Sequence, residues 1–597
     1  SLNTFLNAMT YPDKTCYPVA SCNDKDFQNL MHVYLDAVFY PNIYKREEIF
    51  RQEGWNYHLE QKEGPLKYNG VVYNEMKGAF SSPDEVLERE IMNHLFPDTT
   101  YGCESGGDPK NIPDLTYENF LNFHRTYYHP SNSYIYLYGN MDMEEKLAFL
   151  DEHYLSHFDY LDVDSVIQEQ KAFGACRDVT LEYPVAENEG EEDNTYLSYN
   201  MVVGNAADSQ MAMAFEVLDY ALLSAPGAPL KQALLDVKAG KDVYGSYDDG
   251  ILQPYFTVIA KGSNPDRKEE FVSVIRQVLG DIVKNGIDRK AVEAGINYFE
   301  FRYREADFSS YPKGLMYSLD ILGDWLYEKG NPFAQVQQLT VFEKLKKAVN
   351  EGYFEELIRK YLLENPHGCI MTLVPKKGLA AQREKELEEK LEAYRSSLSE
   401  EQLDAMVEKT KALEAYQEAG EDPKALECIP MLKRSDIKRE AAKIINEELT
   451  VDDSLFLYHD VCTNGIGYVD LMFKTDSIAP EQIPYLGLLK SVLGYVDTEN
   501  YTYGELFNEI NANTGGINCG VEVFDRADST EEFQAMFSVR GKALYTKMDF
   551  LFKMIGEILN SSKLEDTKRL YEIVASVKSR AQVNLTGAGH STAVLRA

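Results

Sequence analysis

Several features that would place this sequence in a well-marked protein class are absent. Its 597 residues contain no run of about 18 apolar residues, the length that a membrane-spanning helix needs. They also contain no G-x-S-x-G serine motif, no phosphate-binding P-loop and no dinucleotide-binding glycine fingerprint. Serine-nucleophile and nucleotide chemistry are therefore unsupported, and we expect no membrane partner.

Positive charge is also scarce. Lys and Arg total 60 against 97 Asp and Glu, which gives a formal net charge of −37. Because such a chain repels phosphate backbones, we expect no nucleic-acid partner. A cationic partner such as a basic peptide is easier to accommodate, although acidity that serves only solubility explains the same charge.

The eight cysteines show no C-x-x-C pair and no regular spacing. This pattern predicts reduced thiols and a cytoplasmic location. The first residues, SLNTFLNAMTYPDK, have neither the basic region nor the apolar core of a signal peptide. Because they begin within a predicted strand, we expect the sequence to be a piece of a longer protein.

The sequence does contain enough apolar residues for several packed cores, with 44% hydrophobic and 12% aromatic residues. Roughly 150 residues per domain predicts about three or four domains. Three segments, beginning at Phe27, Phe271 and Phe550, share a layout in which an amphipathic helix, a short polar break and a charged helix follow one another. The chain is therefore predicted to repeat one structural unit.

Strand candidates flank these helical segments. Three candidates precede the helical segments and cover residues 7–21, 252–262 and 533–541. Two others begin at Tyr196 and Tyr468, and each is followed by a predicted helix. The last two, YIYLYG (134–139) and IMTLVP (370–375), are predicted to be the final strand of a unit. Such repeats predict α+β domains, each an antiparallel sheet with helices on one face. We predict a first domain over 1–180, a second over 190–376 and a third over 440–597.

The segment between the second and third domains, 377–430, is rich in good helix formers. Ser399 and Gln402 are spaced as a capping box, which predicts two antiparallel helices divided at residues 397–399. Its central position favours a hinge that joins two halves of the protein. A solvated coiled-coil arm that binds a partner is the alternative.

His153 and His157 lie four residues apart, a spacing that suits zinc on one helical face. A hydrolytic zinc helix also needs a glutamate beside one histidine, as in H-E-x-x-H or H-x-x-E-H, and a tyrosine and a serine occupy those positions. We interpret this pair as structural. His124 and His129 are predicted to cap or pack at a helix end.

The stretch GVVYNEMKG (70–78) places a carboxylate among apolar residues. On a helix, a turn that points Val71 and Val72 inward also points Glu75 inward. A buried carboxylate needs a partner, which could be a basic side chain, backbone donors, a shared proton or a metal ion. Aligning the FSS of residues 80–82 with that of 308–310 puts Tyr303 opposite Glu75. Two explanations account for a carboxylate in one repeat and a tyrosine in the other. Either a functional site has been built on one copy of a duplicated scaffold, or the residue has changed by neutral sequence drift.

Three stretches together resemble a known family: SLNTFLNAMTYPDKTCYPVAS, GVVYNEMKGAFSSPDEVL and YGCESGGDPKNIPDLTYENFLNFHRTYYHPSNSYIYLYGNMD. They are similar to the presequence-protease branch of the insulinase/pitrilysin zinc peptidases, and the similarity extends over all 597 residues. The resemblance implies a zinc endopeptidase that degrades short or unstructured peptides in a closed chamber between two halves. A noncatalytic scaffold or peptide-binding subunit of the same fold is the alternative.

The resemblance also implies a metal site with zinc as the cofactor. In that family, two histidines of an H-x-x-E-H helix and a glutamate in a segment like NEMKG hold the metal, and Glu75 matches that third ligand. The family's H-x-x-E-H helix precedes the segment that matches SLNTFLNA, so we expect both histidines and the general-base glutamate upstream of Ser1. No catalytic residue is expected within this sequence, which predicts that the chain alone is inactive. The family's fourth domain is expected after Ala597.

Peptide binding is the last property that the resemblance implies. The family adds its peptide as a strand to an exposed edge of the first domain. The matching residues are Leu6, Asn7, Ala8, Met9 and Thr10. An ordinary interior or terminal strand is the alternative for this segment. Peptides, with basic ones suited to the negative charge, are the implied partners.

Overall fold

The structure is a computed structural model that describes residues 4–225, 227–327, 331–420, 422–440 and 443–596. The chain divides into two compact units. One contains residues 1–287 and 308–441, and the other contains 288–307 and 442–597. No described helix is long and apolar enough to cross a membrane.

The first part of the chain is mainly helical, and its short strands pair two by two. The pairs are β1 (Phe5–Leu6) with β4 (Val19–Ala20), β2 (Met9–Thr10) with β3 (Thr15–Cys16), and β5 (Asn56–His58) with β6 (Lys67–Asn69). The helices are α1 (Asp24–Phe39), α2 (Glu47–Ile49), α3 (Val71–Ala79), α4 (Pro83–Leu95), α5 (Tyr117–Tyr127) and α6 (Met143–His153). The repeat predicts a second, charged helix after α1. This helix is short, because α2 is followed by a single π-helical turn, Phe50–Gly54, and then ends.

The strand predicted at residues 134–139 is not formed. The backbone N–H and C=O groups of Tyr134–Tyr138 make no hydrogen bond with the described part of the chain. A strand exists through its ladder to a neighbour, and no described strand pairs with this segment. The prediction of a closing strand at residues 134–139 is therefore wrong.

The second part of the chain builds a five-stranded sheet in the order β7-β11-β8-β10-β9. Its strands are β7 (Arg177–Val185), β8 (Thr195–Val202), β9 (Asp242–Asp248), β10 (Tyr255–Ser263) and β11 (Gly368–Lys377). The strands predicted at 252–262, at 370–375 and from Tyr196 are confirmed. All neighbours are antiparallel except β7 and β11, which are parallel.

Helices cover both faces of this sheet. The helices that follow in sequence in this unit are α7 (Ser209–Asp219), α8 (Pro229–Asp236), α9 (Lys268–Asn285), α11 (Lys313–Trp325), α12 (Leu339–Ala348) and α13 (Tyr353–Leu357). Between α9 and α11, α10 (Arg289–Glu305) belongs to the second unit. β8 is buried along its whole length, which requires cover on both sides because successive side chains alternate. On one side α4 shares a core with β11. On the other side, Tyr199 donates a hydrogen bond to the Leu362 carbonyl at 2.5 Å.

The predicted helical hairpin is confirmed as α14 (Leu379–Ser397) and α15 (Glu400–Glu418). The capping box forms, with the Ser399 N–H donating to Gln402 Oε1 at 2.9 Å and the Gln402 N–H donating to Ser399 Oγ at 3.3 Å. The hairpin packs against the β5–β6 pair through a buried cluster: Leu59, Leu66, Leu391 and Val407. One face of the hairpin is therefore packed within the first unit, and most of its other residues are exposed. A short helix, α16 (Pro423–Leu426), follows.

The second unit combines α10 with the last part of the chain. Its strands are β12 (Glu447–Val451), β13 (Ser454–Tyr458), β14 (Ile466–Lys474), β15 (Ile517–Asp525) and β16 (Phe533–Leu544). Its helices are α17 (Ile483–Val492), α18 (Tyr503–Asn513), α19 (Met548–Ser561), α20 (Thr567–Gly587) and α21 (Gly589–Arg596). β14, β16 and β15 form an antiparallel sheet, which confirms the strands predicted at 533–541 and from Tyr468. The α+β class is confirmed.

Candidate functional site

Glu75 lies on α3, but it is not buried as the sequence predicts. Val71 is 51% exposed and Val72 37% exposed, and the carboxylate of Glu75 is exposed as well. Tyr73 is the residue of α3 that is buried. Glu75 makes no hydrogen bond or ion pair with the described residues. A buried ion pair within this part of the chain therefore does not explain Glu75.

The helix that carries Glu75 is held in place at its start. Gly70 precedes α3 with φ of 146°, a conformation that favours glycine. A Cβ at this position would lie 2.3 Å from the Gly54 carbonyl oxygen and 2.7 Å from Trp55 Cα. Only glycine therefore allows the backbone at this point to approach the end of the π-helical turn, Gly54 and Trp55, so closely.

The helical hairpin supports the same helix from another side. Lys77, on α3, pairs with Glu384 of α14 at 2.9 Å. The Tyr57 ring of β5 stacks on Tyr394 with ring centroids 4.9 Å apart, and Thr410 Oγ1 accepts the Leu59 N–H at 3.1 Å. The last residues of the β5–β6 pair lead directly into α3. The Glu75 backbone is thus fixed while its side chain remains open.

The described residues do not by themselves form a zinc site. A catalytic zinc site uses three protein ligands and one open position. Among the described ranges, no group of three or more His, Cys, Asp and Glu side chains is arranged to hold a metal ion. Glu75 is therefore a single candidate ligand.

The predicted substrate segment is not one continuous strand. It forms the outer arm of a hairpin, as β1 and β2, and the ladder is interrupted at Asn7 and Ala8. The Asn7 N–H still donates to the Pro18 carbonyl at 3.3 Å. Leu6, Asn7, Ala8 and Thr10 are exposed, while Met9 is half-buried. No other described strand pairs with this arm.

A cavity of about 1810 Å³ lies behind this hairpin in the first unit. Its wall includes the inner arm, residues 15–20, the unpaired segment 134–138 and part of α11. The wall is mixed: aromatic residues lie beside aliphatic residues and carboxylates such as Asp162 and Asp164. The Tyr17 and Tyr128 hydroxyls are hydrogen-bonded at 2.9 Å. Burial raises the pKa of Tyr17, so its phenol stays neutral. The aromatic part of the wall suits apolar groups and neutral hydrogen-bonding groups.

Three of the histidines that the sequence singles out, His124, His129 and His153, serve packing and capping. α6 ends at His153, whose ring centroid is 4.5 Å from that of Phe149, so His153 and His157 do not share one helical face. His124 Nε2 contacts the Val38 carbonyl at 2.9 Å, and burial lowers its pKa. His129 caps a 3₁₀ turn by accepting the Ser131 N–H. The predicted roles of His124 and His129 are confirmed.

Sequence reasoning missed Asp13 and Asp26, whose carboxylates are buried at the two ends of the hairpin. The signal for either residue was weak. An aspartate in Y-P-D-K is typical of a turn, and one in the first turn of α1 is typical of a favourable helix terminus. Their burial results from partners elsewhere in the chain.

Comparison with known proteins connects these features to a family. Residues 114–299 match the family model for the peptidase M16 inactive domain, and residues 373–597 match the model described as peptidase M16C associated. The whole chain is 35% identical over 604 residues to presequence protease 1, chloroplastic/mitochondrial, of Arabidopsis thaliana. The chain belongs to the presequence-protease branch of the insulinase/pitrilysin peptidase family.

Other members of this family show how much of a full-length relative the chain represents. It is 47% identical over 594 residues to protein HypA of Clostridium perfringens. All of the chain is matched in both relatives, but it spans only 61% of HypA and 56% of the Arabidopsis protease. The crystal structure of pitrilysin aligns with 97% of this chain and 57% of the pitrilysin chain, with a TM-score of 0.50 and 14% sequence identity. This similarity supports the fold alone.

Proposed function

We propose that this chain is part of a zinc-dependent endopeptidase that degrades short or unstructured peptides in an enclosed chamber, and that Glu75 contributes one ligand to its metal site. The supporting observation is an exposed carboxylate, without a partner in the described residues, on a helix fixed by Gly70 and the helical hairpin. A metal ligand requires such access and such a rigid backbone. The other ligands and the general base are expected outside this chain.

The chain by itself is proposed to be inactive, because one carboxylate falls short of the three protein ligands that catalytic zinc requires. Its substrates are proposed to be peptides, basic ones in particular, and its location the cytoplasm, where the eight free cysteines would stay reduced. Incubation with a fluorogenic basic peptide and excess zinc should give no turnover. Chelator-sensitive turnover that copurifies with the chain would refute this part of the proposal.

Glu75→Gln in the full-length parent protein tests the ligand assignment. The change removes the charge and keeps the size, so bound zinc should be lost and peptide hydrolysis should fall more than about 100-fold, since even partners outside the ligand shell contribute 10- to 100-fold. The melting temperature should stay near that of the wild type because Glu75 is exposed and has no partner to lose. Zinc content, activity and melting temperature are measured on the same preparations.

Glu85→Gln is the matched control, because Glu85 is an exposed glutamate on the neighbouring α4. It should retain zinc and activity. If Glu75→Gln also retains both while its melting temperature falls by many degrees, then Glu75 is structural and the ligand assignment fails.

A noncatalytic scaffold or peptide-binding subunit is the second candidate, and the match of residues 114–299 to a domain described as inactive favours it. The parent reading frame separates the two candidates. An H-x-x-E-H segment encoded about twenty residues before Ser1 supports the enzyme, by analogy with metal-binding motifs on a helix. Its absence would support the noncatalytic subunit.

A further inference from the structure

The hairpin that carries Leu6–Thr10 has little internal support. Its ladder consists of two short pairs, Phe5–Leu6 with Val19–Ala20 and Met9–Thr10 with Thr15–Cys16. An isolated two-stranded hairpin is marginally stable in water. Its position must therefore be set by contacts with the rest of the first unit.

The tip of the hairpin is held by the carboxylate of Asp13, whose side chain is 0% exposed. The Tyr101 hydroxyl donates to Asp13 Oδ2 at 2.7 Å, and the Tyr327 hydroxyl donates to the same oxygen. The Lys14 ammonium donates to Asp13 Oδ1 at 3.2 Å and reaches the Gly250 carbonyl at 3.3 Å. The tip is thus tied to three separate segments of the fold.

Tyr101 is itself oriented for this contact. Its hydroxyl oxygen accepts the Leu252 N–H at 2.9 Å, which directs its proton toward Asp13. Burial, and then the charge of Asp13, raises the pKa of Tyr101, so the phenol remains a neutral donor. Hydrogen bonds to an ionised, buried acceptor are among the stronger ones in proteins.

A second buried carboxylate holds the base of the hairpin. Asp26 of α1 is 8% exposed. Its Oδ2 accepts the Thr4 hydroxyl at 2.7 Å and the Ser21 hydroxyl at 2.8 Å. Thr4 precedes the first strand and Ser21 follows the last strand, so one oxygen gathers both ends of the hairpin.

We propose that Asp13 and Asp26 are positioning residues that hold Leu6–Thr10 ready to accept a peptide as an added strand. The inference rests on the proposed peptide-binding function and assigns its rigidity to two carboxylates that do not touch the peptide. A strand fixed before binding loses less conformational freedom when the peptide docks, which increases affinity. The tethers matter most at Asn7 and Ala8, where the hairpin's own ladder is interrupted.

The first measurement is hydrogen exchange of the backbone amides in residues 5–10 of this chain, followed by mass spectrometry. Asp13→Asn and Asp26→Asn remove one charge each and keep the size of the side chain. Tyr327→Phe removes a single donor to Asp13 and leaves Lys14 paired, so it provides a mild variant if Asp13→Asn does not fold. Exchange over residues 5–10 should accelerate about tenfold in the aspartate variants and about threefold in Tyr327→Phe, as expected for a lost charged hydrogen bond.

The second measurement is the dissociation constant of a fluorescent, unstructured basic peptide, obtained by anisotropy with the same proteins. It should rise about tenfold in Asp13→Asn and Asp26→Asn and about threefold in Tyr327→Phe, the scale of one charged hydrogen bond. Tyr17→Phe is the matched control, since it removes a hairpin phenol that bonds to Tyr128 and not to a carboxylate. It should leave both measurements unchanged.

The outcomes separate the inference from the function on which it rests. If the wild-type chain binds the peptide and the folded variants bind it equally well with unchanged exchange over residues 5–10, the positioning role is refuted and the peptide site stands. If the wild-type chain does not bind the peptide, the peptide site is refuted, and the positioning role with it. Weaker binding and faster exchange in the variants, at an unchanged melting temperature for Tyr327→Phe, support the inference.

Discussion

Residues 134–139 and strand β11 have similar sequence patterns and different structures. β11 is paired on both sides, with β7 and β8, and its Cys369, Met371 and Leu373 side chains are fully buried. The segment 134–138 pairs with no described strand, and Tyr138 is 48% exposed beside the cavity. Alternating apolar residues therefore give a segment the capacity to form a strand, but the hydrogen bonds of a neighbour make it one.

The largest expected effect compares a leucine from each of these two segments. Leu373→Ala should destabilise the first unit by about 2–5 kcal/mol, because it leaves a cavity in a fully packed core. Leu137→Ala should reduce the free energy of unfolding by about 1 kcal/mol or less, since Leu137 is only half-buried and lines an existing cavity.

Denaturant unfolding followed by tryptophan fluorescence measures both changes. The two tryptophans, Trp55 and Trp325, both lie in the first unit and report its unfolding. Equal losses for the two alanine variants would show that residues 134–138 are packed as firmly as β11, and the comparison would fail.

A smaller effect is expected at the glycine before α3. Gly70→Ala should destabilise the first unit by about 1–3 kcal/mol, because alanine is strained at a φ of 146° and its Cβ would meet the Gly54 carbonyl. Gly78→Ala on the same helix meets no atom within 4 Å and should stabilise by up to about 1 kcal/mol. The same fluorescence assay should therefore give opposite signs. A neutral Gly70→Ala variant would mean that the first part of the chain adapts where the structure shows a close approach.

The smallest expected effect is a pH dependence at His367, which is 4% exposed and contacts the Leu95 carbonyl through Nε2 at 3.0 Å. Burial lowers the pKa of His367 below its ordinary value of about 6.5. The unfolded chain then binds more protons than the folded chain, so stability is lost as the pH falls through about 6.5. His367→Gln should reduce this loss between pH 7.5 and 5.

His124→Gln is the control. The pKa of His124 is also lowered by burial, but its ring is less buried than that of His367. It should change the same pH dependence less than His367→Gln does. If His367→Gln leaves the slope of unfolding free energy against pH unaltered, burial of His367 does not couple to protonation.

The sequence predicts most of the elements that find their partners nearby. The helical hairpin and its Ser399 cap follow from local helix signals, and β10 and β16 follow from strand candidates placed before the repeated helical segments. The predicted burial of Glu75 is wrong because one apolar turn does not reveal which face of a helix meets a neighbour; α3 is anchored through Tyr73. The tethers at Asp13 could not be predicted because Tyr101 and Tyr327 lie 88 and 314 residues away.

The contact between Leu59 and Thr410 also constrains how the protein is made, since the two residues are 351 positions apart. At about 5–20 residues per second, a ribosome needs about 20–70 s to synthesise that interval. During that time the apolar faces of Leu59 and Leu66 lack the helices that later cover them. The nascent chain therefore exposes these apolar side chains until α14 and α15 are synthesised. A chaperone that shields residues 56–69 would act during that interval.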